Sequence, residues 1–144
     1  MVVASEHDLF VAYFVQESPE GWDGTTVRIV GPGSEESVAR IRFERCHAQM
    51  FGPPNDEAFE GHPLAKRGLH PYAAFEVLDS SWVRQLERMN AVHPYHRPAR
   101  FSSYRHFVLA FHDSTFECIA NGYTFEIVAG PLNEVAAKAA KSLR

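Results

Sequence analysis

The chain predicts an α+β fold: a mostly antiparallel sheet of about six or seven strands, with two helices, 79–90 and 131–143, packed on one side. Three observations carry that expectation. Short runs rich in β-branched and aromatic residues recur along the chain, separated by proline and glycine clusters. Two stretches read as helices, one amphipathic and one rich in alanine. The 144 residues, 45% hydrophobic and 12% aromatic, suffice for one domain with a substantial core and not for a disordered chain. No repeat or second composition appears, so 1–144 reads as a single domain.

Residues 9–16, "LFVAYFVQ", form a nearly unbroken apolar run, which suits a strand covered on both faces. "SPEGWDG" (18–24) is turn chemistry, and "TTVRIVG" (25–31) reads as the hairpin partner. In "VARIRFERCH" (38–47), Ala39, Ile41 and Phe43 alternate with Arg40, Arg42 and Glu44. One face meets a core and the other water. Segment 51–72 carries four prolines and three glycines and has room for one or two helical turns, with Asn55 placed to cap "DEAFE". A connection this long is more often functional than idle.

"AAFEVLD" (73–79) returns to strand, and 79–90 is the clearest helix. Asp79 or Ser80 can cap it, and Trp82, Val83, Leu86 and Met89 share one side. Prolines in "HPYHRP" (93–98) stop it. Strands 105–111, 115–120 and 123–128 follow, before the alanine-rich C-terminal helix.

Asn121-Gly122 between two β-rich runs predicts a type I′ hairpin. That register sets Cys118 against Phe125, Phe116 against Ile127 and Ala120 against Tyr123, on one apolar face. A turn at Asp113-Ser114 adds Phe107, Leu109 and Phe111 to it. The other face carries His106, Val108, Ala110, His112, Thr115, Glu117, Ile119, Thr124, Glu126 and Val128. Glu117 then faces Glu126, and like charges directly opposite destabilise a sheet. Solvent, the arginines Arg40 and Arg42, or a site holding a proton, a metal or a cationic ligand would relieve them.

Paired carboxylates beside a histidine suit acid–base chemistry, because neighbouring charge separates their pKa values. His112, Glu117 and Glu126 are therefore the candidate catalytic residues. Asp56, Glu57, His62, Arg40 and Arg42 are the candidate ligand-binding residues. His93 and His96 have ligand-like spacing in a proline turn with no third ligand nearby, so no metal site is assigned and no cofactor is expected.

Composition excludes some classes. A formal net charge of −4, without any basic run, argues against a nucleic-acid backbone binder. No stretch approaches the ~20 apolar residues of a membrane span, and the N-terminus lacks a basic leader. Cys46 and Cys118 are too few for a disulfide framework and read as buried thiols, so a reduced, cytoplasmic protein is expected. No GxSxG, Walker, GxGxxG or EF-hand pattern is present.

"FGPPNDEAFEGHPL", "SSWVRQLERMNAVHP" and "HFVLAFHDSTFECIA" together resemble segments of a group of small uncharacterised bacterial single-domain proteins. The resemblance spans roughly the central half of the chain. It implies a single bacterial domain, and it carries no activity and no catalytic residue.

Two functions follow as expectations. One is a binding or interaction module whose 51–72 segment and 93–98 loop meet a small-molecule or protein partner. The other is a small enzyme or metal-dependent protein with a histidine–carboxylate site on the 105–128 sheet face. The apolar "LFVAYFV" strand and a free sheet edge would also suit a homodimer.

Overall fold

Leu9, Phe10, Val11 and Ala12 follow one another with no polar residue between them, and all four are buried. In the computed structural model, which describes residues 1–15 and 30–143, they belong to strand β2 (Leu9–Phe14). The turn expected at 18–24 lies outside the described residues, as does all of the 25–31 strand except Val30 and Gly31. The fold is α+β with antiparallel sheets, as expected, but the eight strands of the described residues form two four-stranded sheets and not one.

The chain divides into two compact units, Met1–Arg45 with Tyr123–Arg144, and Cys46–Gly122. The first holds β1 (Val2–Ala4), β2, β3 (Glu35–Glu44) and β8 (Gly122–Pro131), in the order β1-β2-β3-β8. Ala39, Ile41 and Phe43 are buried on β3 while Arg42 and Glu44 face water, as the alternation requires. The C-terminal helix α3 (Leu132–Lys141) lays Leu132, Val135, Ala136 and Ala139 on this sheet. Its core joins Ala12 and Val38 to Leu132 and Val135.

The second unit holds β4 (Ala48–Gly52), β5 (Ala73–Val77), β6 (Arg105–Ala110) and β7 (Thr115–Ala120), in the order β4-β7-β6-β5. Helix α1 (Ser81–Asn90) packs on β6 and on a short helix α2 (Pro98–Phe101). The two long helices therefore serve different sheets. Trp82, Val83 and Leu86 form the half-buried side of α1, whereas Met89 is exposed. Asn55 caps the first turn of the 51–72 segment, accepting the Ala58 N–H at 3.1 Å. Short 3-10 turns at Phe59–Gly61 and Ala65–Arg67 follow.

The Asn121-Gly122 hairpin does not form. β7 is a central strand, paired with β4 on one edge and β6 on the other, so neither edge is left for β8. β8 instead lies beside β3 in the other sheet. Neither Asn121 nor Gly122 takes the positive φ that a type I′ turn needs. The Asn121 amide donates instead to the Ser103 carbonyl and hydroxyl, at 3.1 and 2.9 Å.

Cys118 thus faces Phe107 and Gln49, not Phe125, and Glu117 faces Val108 and Met50, not Glu126. Cys118 is nonetheless fully buried, as expected. Between β6 and β7 the faces are as expected, but the register is displaced by two: Leu109 pairs with Phe116 and Phe107 with Cys118. A shift of two preserves the alternation of faces.

Candidate functional site

Glu117 is a charged residue on a strand whose neighbours Phe116, Cys118 and Ile119 are all fully buried. An ionised carboxylate there needs donors. His62 and His106 supply them. His62 Nε2 lies 3.0 Å from Glu117 Oε1, and His106 Nε2 lies 2.8 Å from Glu117 Oε2. Burial opposes ionisation of Glu117, but the hydrogen bonds from His106 and then His62 outweigh it and hold the carboxyl below its usual range.

Each histidine is oriented by what its other nitrogen meets. The Leu64 backbone N–H donates to His62 Nδ1 at 3.1 Å, which requires that nitrogen to be unprotonated, so Nε2 carries the hydrogen given to Glu117. Phe59, buried in the first 3-10 turn, stacks on the His62 ring with centroids 5.3 Å apart and planes 9° apart. On the other side, His106 Nδ1 lies 2.9 Å from Ser80 Oγ. Ser80 is the N-cap of α1, accepting the Val83 N–H at 3.3 Å. The Trp82 ring meets His106 edge-on at 5.2 Å.

A continuous chain, Ser80–His106–Glu117–His62, therefore runs through the second unit. Its Ser80 and His106 end lines a cleft of about 440 Å³ whose walls include Val77, Val83, Pro98 and Phe101.

A second cluster stands at the β6–β7 turn. His112 Nδ1 bonds Asp56 Oδ2 at 2.8 Å, and the Tyr72 hydroxyl donates to the same carboxylate oxygen and lies 3.0 Å from His112 Nδ1. The Asp56 N–H also donates to the His112 carbonyl at 2.9 Å, and Thr115 Oγ1 donates to the Pro54 carbonyl at 2.8 Å. These contacts fasten the 51–72 segment to the sheet.

The hydrogen bond to Asp56, its charge and that of Asp113 raise the His112 pKa, and hydrogen bonds from Tyr72 and His112 lower that of Asp56. A histidine with a raised folded pKa contributes stability that is whole below its unfolded value of ~6.5 and is lost as pH rises through the folded value. Urea unfolding of wild type and His112→Asn should thus show a stability advantage for wild type that shrinks above about pH 6.5. A pH-independent difference would show that the ion pair contributes nothing.

The sequence-level candidates divide among three places. His62 and Glu117 meet, and Asp56 meets His112. Glu126 sits in the other sheet, ion-paired with Arg40, while Arg42 bonds Asp8 at 2.7 Å. Glu126 is thus removed from the acid–base site: its neighbour is a guanidinium and not a second carboxylate. Glu57 is exposed, its backbone N–H on Asp56 Oδ1. The 93–98 loop holds its histidines in hydrogen bonds, His93 Nδ1 accepting the Tyr95 N–H and His96 Nδ1 lying 2.9 Å from Asn90 Oδ1.

Two residues went unselected by sequence reasoning, Ser80 and His106. Alternation places His106 on the Glu117 face, and the sequence marks Ser80 as a helix cap. Only the fold brings that cap to the sheet. No protein-family model, curated protein or solved structure matches the chain.

Proposed function

We propose that the protein is a small acid–base enzyme of the hydrolytic class, with His106 as the group that moves the proton. One observation carries this reading: the Ser80–His106–Glu117–His62 chain ends on a cleft of about 440 Å³, a size that suits small-molecule ligands. Ionised Glu117 accepts from His106 Nε2, so in the neutral imidazole Nδ1 is the acceptor facing the cleft end of the chain. A proton arriving at Nδ1 creates an imidazolium directly against the Glu117 carboxylate, which stabilises it. His62, pinned by Leu64 and Phe59, keeps that carboxylate in place.

The test is hydrolysis of nitrophenyl esters of short acyl chains by the full chain. Turnover that drops roughly 100-fold or more in both Glu117→Gln and His106→Asn, at a temperature where both remain folded, supports the reading. Absent turnover, or turnover equal in the variants, overturns it.

A second reading has its own support. Val92 and Tyr95, beside and within the 93–98 loop, are 90% and 83% exposed. Large exposed apolar side chains of this kind suit a binding module that meets a protein partner, a second copy of the chain included, which would form a homodimer. Val92→Ser with Tyr95→Ser would leave ester turnover intact and abolish any self-association seen by ultracentrifugation.

A further inference from the structure

The geometry points to the Ser80 hydroxyl as a nucleophile, which makes the cleft an acyl-transfer site for esters or thioesters with an uncharged acyl group. This rests on the acid–base reading of His106 and Glu117 and goes beyond it by naming the attacking atom. Ser80 Oγ lies 2.9 Å from His106 Nδ1, within the range in which a base takes a hydroxyl proton. His106 is oriented by a third group, Glu117, at 2.8 Å from its other nitrogen. Nucleophile, base and orienting carboxylate thus stand in unbroken order, and the first two line the cleft.

The step balances without any further reactant but water. Ser80 Oγ adds to the acyl carbon while its proton passes to His106 Nδ1. The bond from that carbon to the leaving alcohol or thiol oxygen or sulfur breaks, and the leaving group departs with the proton from Nδ1. Water then attacks acyl-Ser80, again giving its proton to Nδ1, and release of the acid restores the hydroxyl. Of the first-turn amides of α1, the Val83 N–H is given to Ser80 Oγ; those of Ser81 and Trp82 have no intrahelical carbonyl to bond and would supply the donors for the oxyanion.

Charge at the cleft sets the substrate class. Arg105 is bound by Glu76 through two bonds of 2.7 and 2.6 Å, and Arg84 is paired with Asp79. Both guanidiniums on the lining are committed to carboxylates, so a negatively charged acyl group finds no ready partner there. Val77, Val83, Pro98 and Phe101 instead suit an apolar one.

A fluorophosphonate probe tests this directly, since attack by a serine oxygen forms a phosphorus–oxygen bond and expels fluoride. Peptide mapping of the labelled native chain should find one stoichiometric adduct, on Ser80. Labelling should slow at least 10-fold in His106→Asn and vanish in Ser80→Asn, where asparagine keeps the helix cap but removes the hydroxyl. Ester hydrolysis with no Ser80 adduct would overturn the inference and leave the acid–base reading standing, with water as the nucleophile. Neither hydrolysis nor adduct would sink both. Equal labelling of wild type and His106→Asn would also overturn it, as would an adduct found only on another residue. Because the adduct is located in wild type, the result does not depend on Ser80→Asn folding.

Discussion

Glu117→Gln is expected to destabilise the fold by roughly 2–4 kcal/mol at neutral pH. The glutamine amide can accept one imidazole N–H through its oxygen. Its nitrogen, however, is a donor, and it faces the second histidine's N–H. The Leu64 N–H holds His62 to its tautomer, so the glutamine oxygen accepts from His62 and its nitrogen meets His106. His106 can accept only by moving its proton to Nδ1 and giving it to Ser80 Oγ. Either His106 changes tautomer or one buried donor is left unsatisfied, and in both cases two bonds to a charged carboxylate are lost. The pH dependence provides the specific signature. Glu117 has a depressed pKa in the fold, so its contribution is whole above the unfolded value of ~4.3 and is lost as pH falls through the folded value. Denaturant unfolding of the two proteins should show a gap that is constant near neutrality and closes in acid. A gap independent of pH, or a glutamine variant as stable as wild type, would refute the bridged carboxylate.

That prediction reverses what the sequence alone implies, and the reason is physical. Period-two alternation fixes which face a residue occupies, and so the Glu117 face, with His106, Val108 and Ile119 beside it, was legible. Alternation is blind to shifts of two residues, which is why the β6–β7 register was displaced while the faces stood. It is blind also to which strand lies alongside. Asn121-Gly122 is a strong local preference, worth little against a strand already paired on both edges.

Local pattern therefore joins β7 to β8 and sets Glu126 against Glu117, whereas β8 pairs with β3 and Glu126 with Arg40. β3 shows the opposite case: its alternation and the unbroken run in β2 depend on nothing distant, and both strands are found, over Glu35–Glu44 and Leu9–Phe14 rather than 38–47 and 9–16. The site was half legible for the same reason. Glu117 stands out as a carboxylate in an apolar strand and His62 as a histidine in the long 51–72 connection, whereas Ser80 has an adequate local role as a helix cap. Its contact with His106 spans 26 residues of chain, and local pattern carries no trace of it.

The partition of the two sheets yields the other large expected effect. In the hairpin reading, Phe116 and Phe125 share one apolar face, so truncating either should open a cavity. In the structure they differ sharply: Phe116 is fully buried on central strand β7, while Phe125 on β8 is 66% exposed. Phe116→Ala removes a ring that packs against Leu109 and Phe51 across both neighbouring strands, and should cost about 3–5 kcal/mol. Phe125→Ala leaves no cavity, because much of that ring already meets water. Its cost should stay within about 0.5 kcal/mol, the range of surface substitutions away from special features. Urea denaturation of both variants measures the contrast at constant slope, where a changed midpoint reports stability alone. Comparable losses of several kcal/mol would restore the Asn121-Gly122 hairpin and return Glu126 to Glu117. A large loss for Phe116 alone places β7 at the centre of its sheet, where, among the described residues, His62 and His106 meet the carboxylate of Glu117.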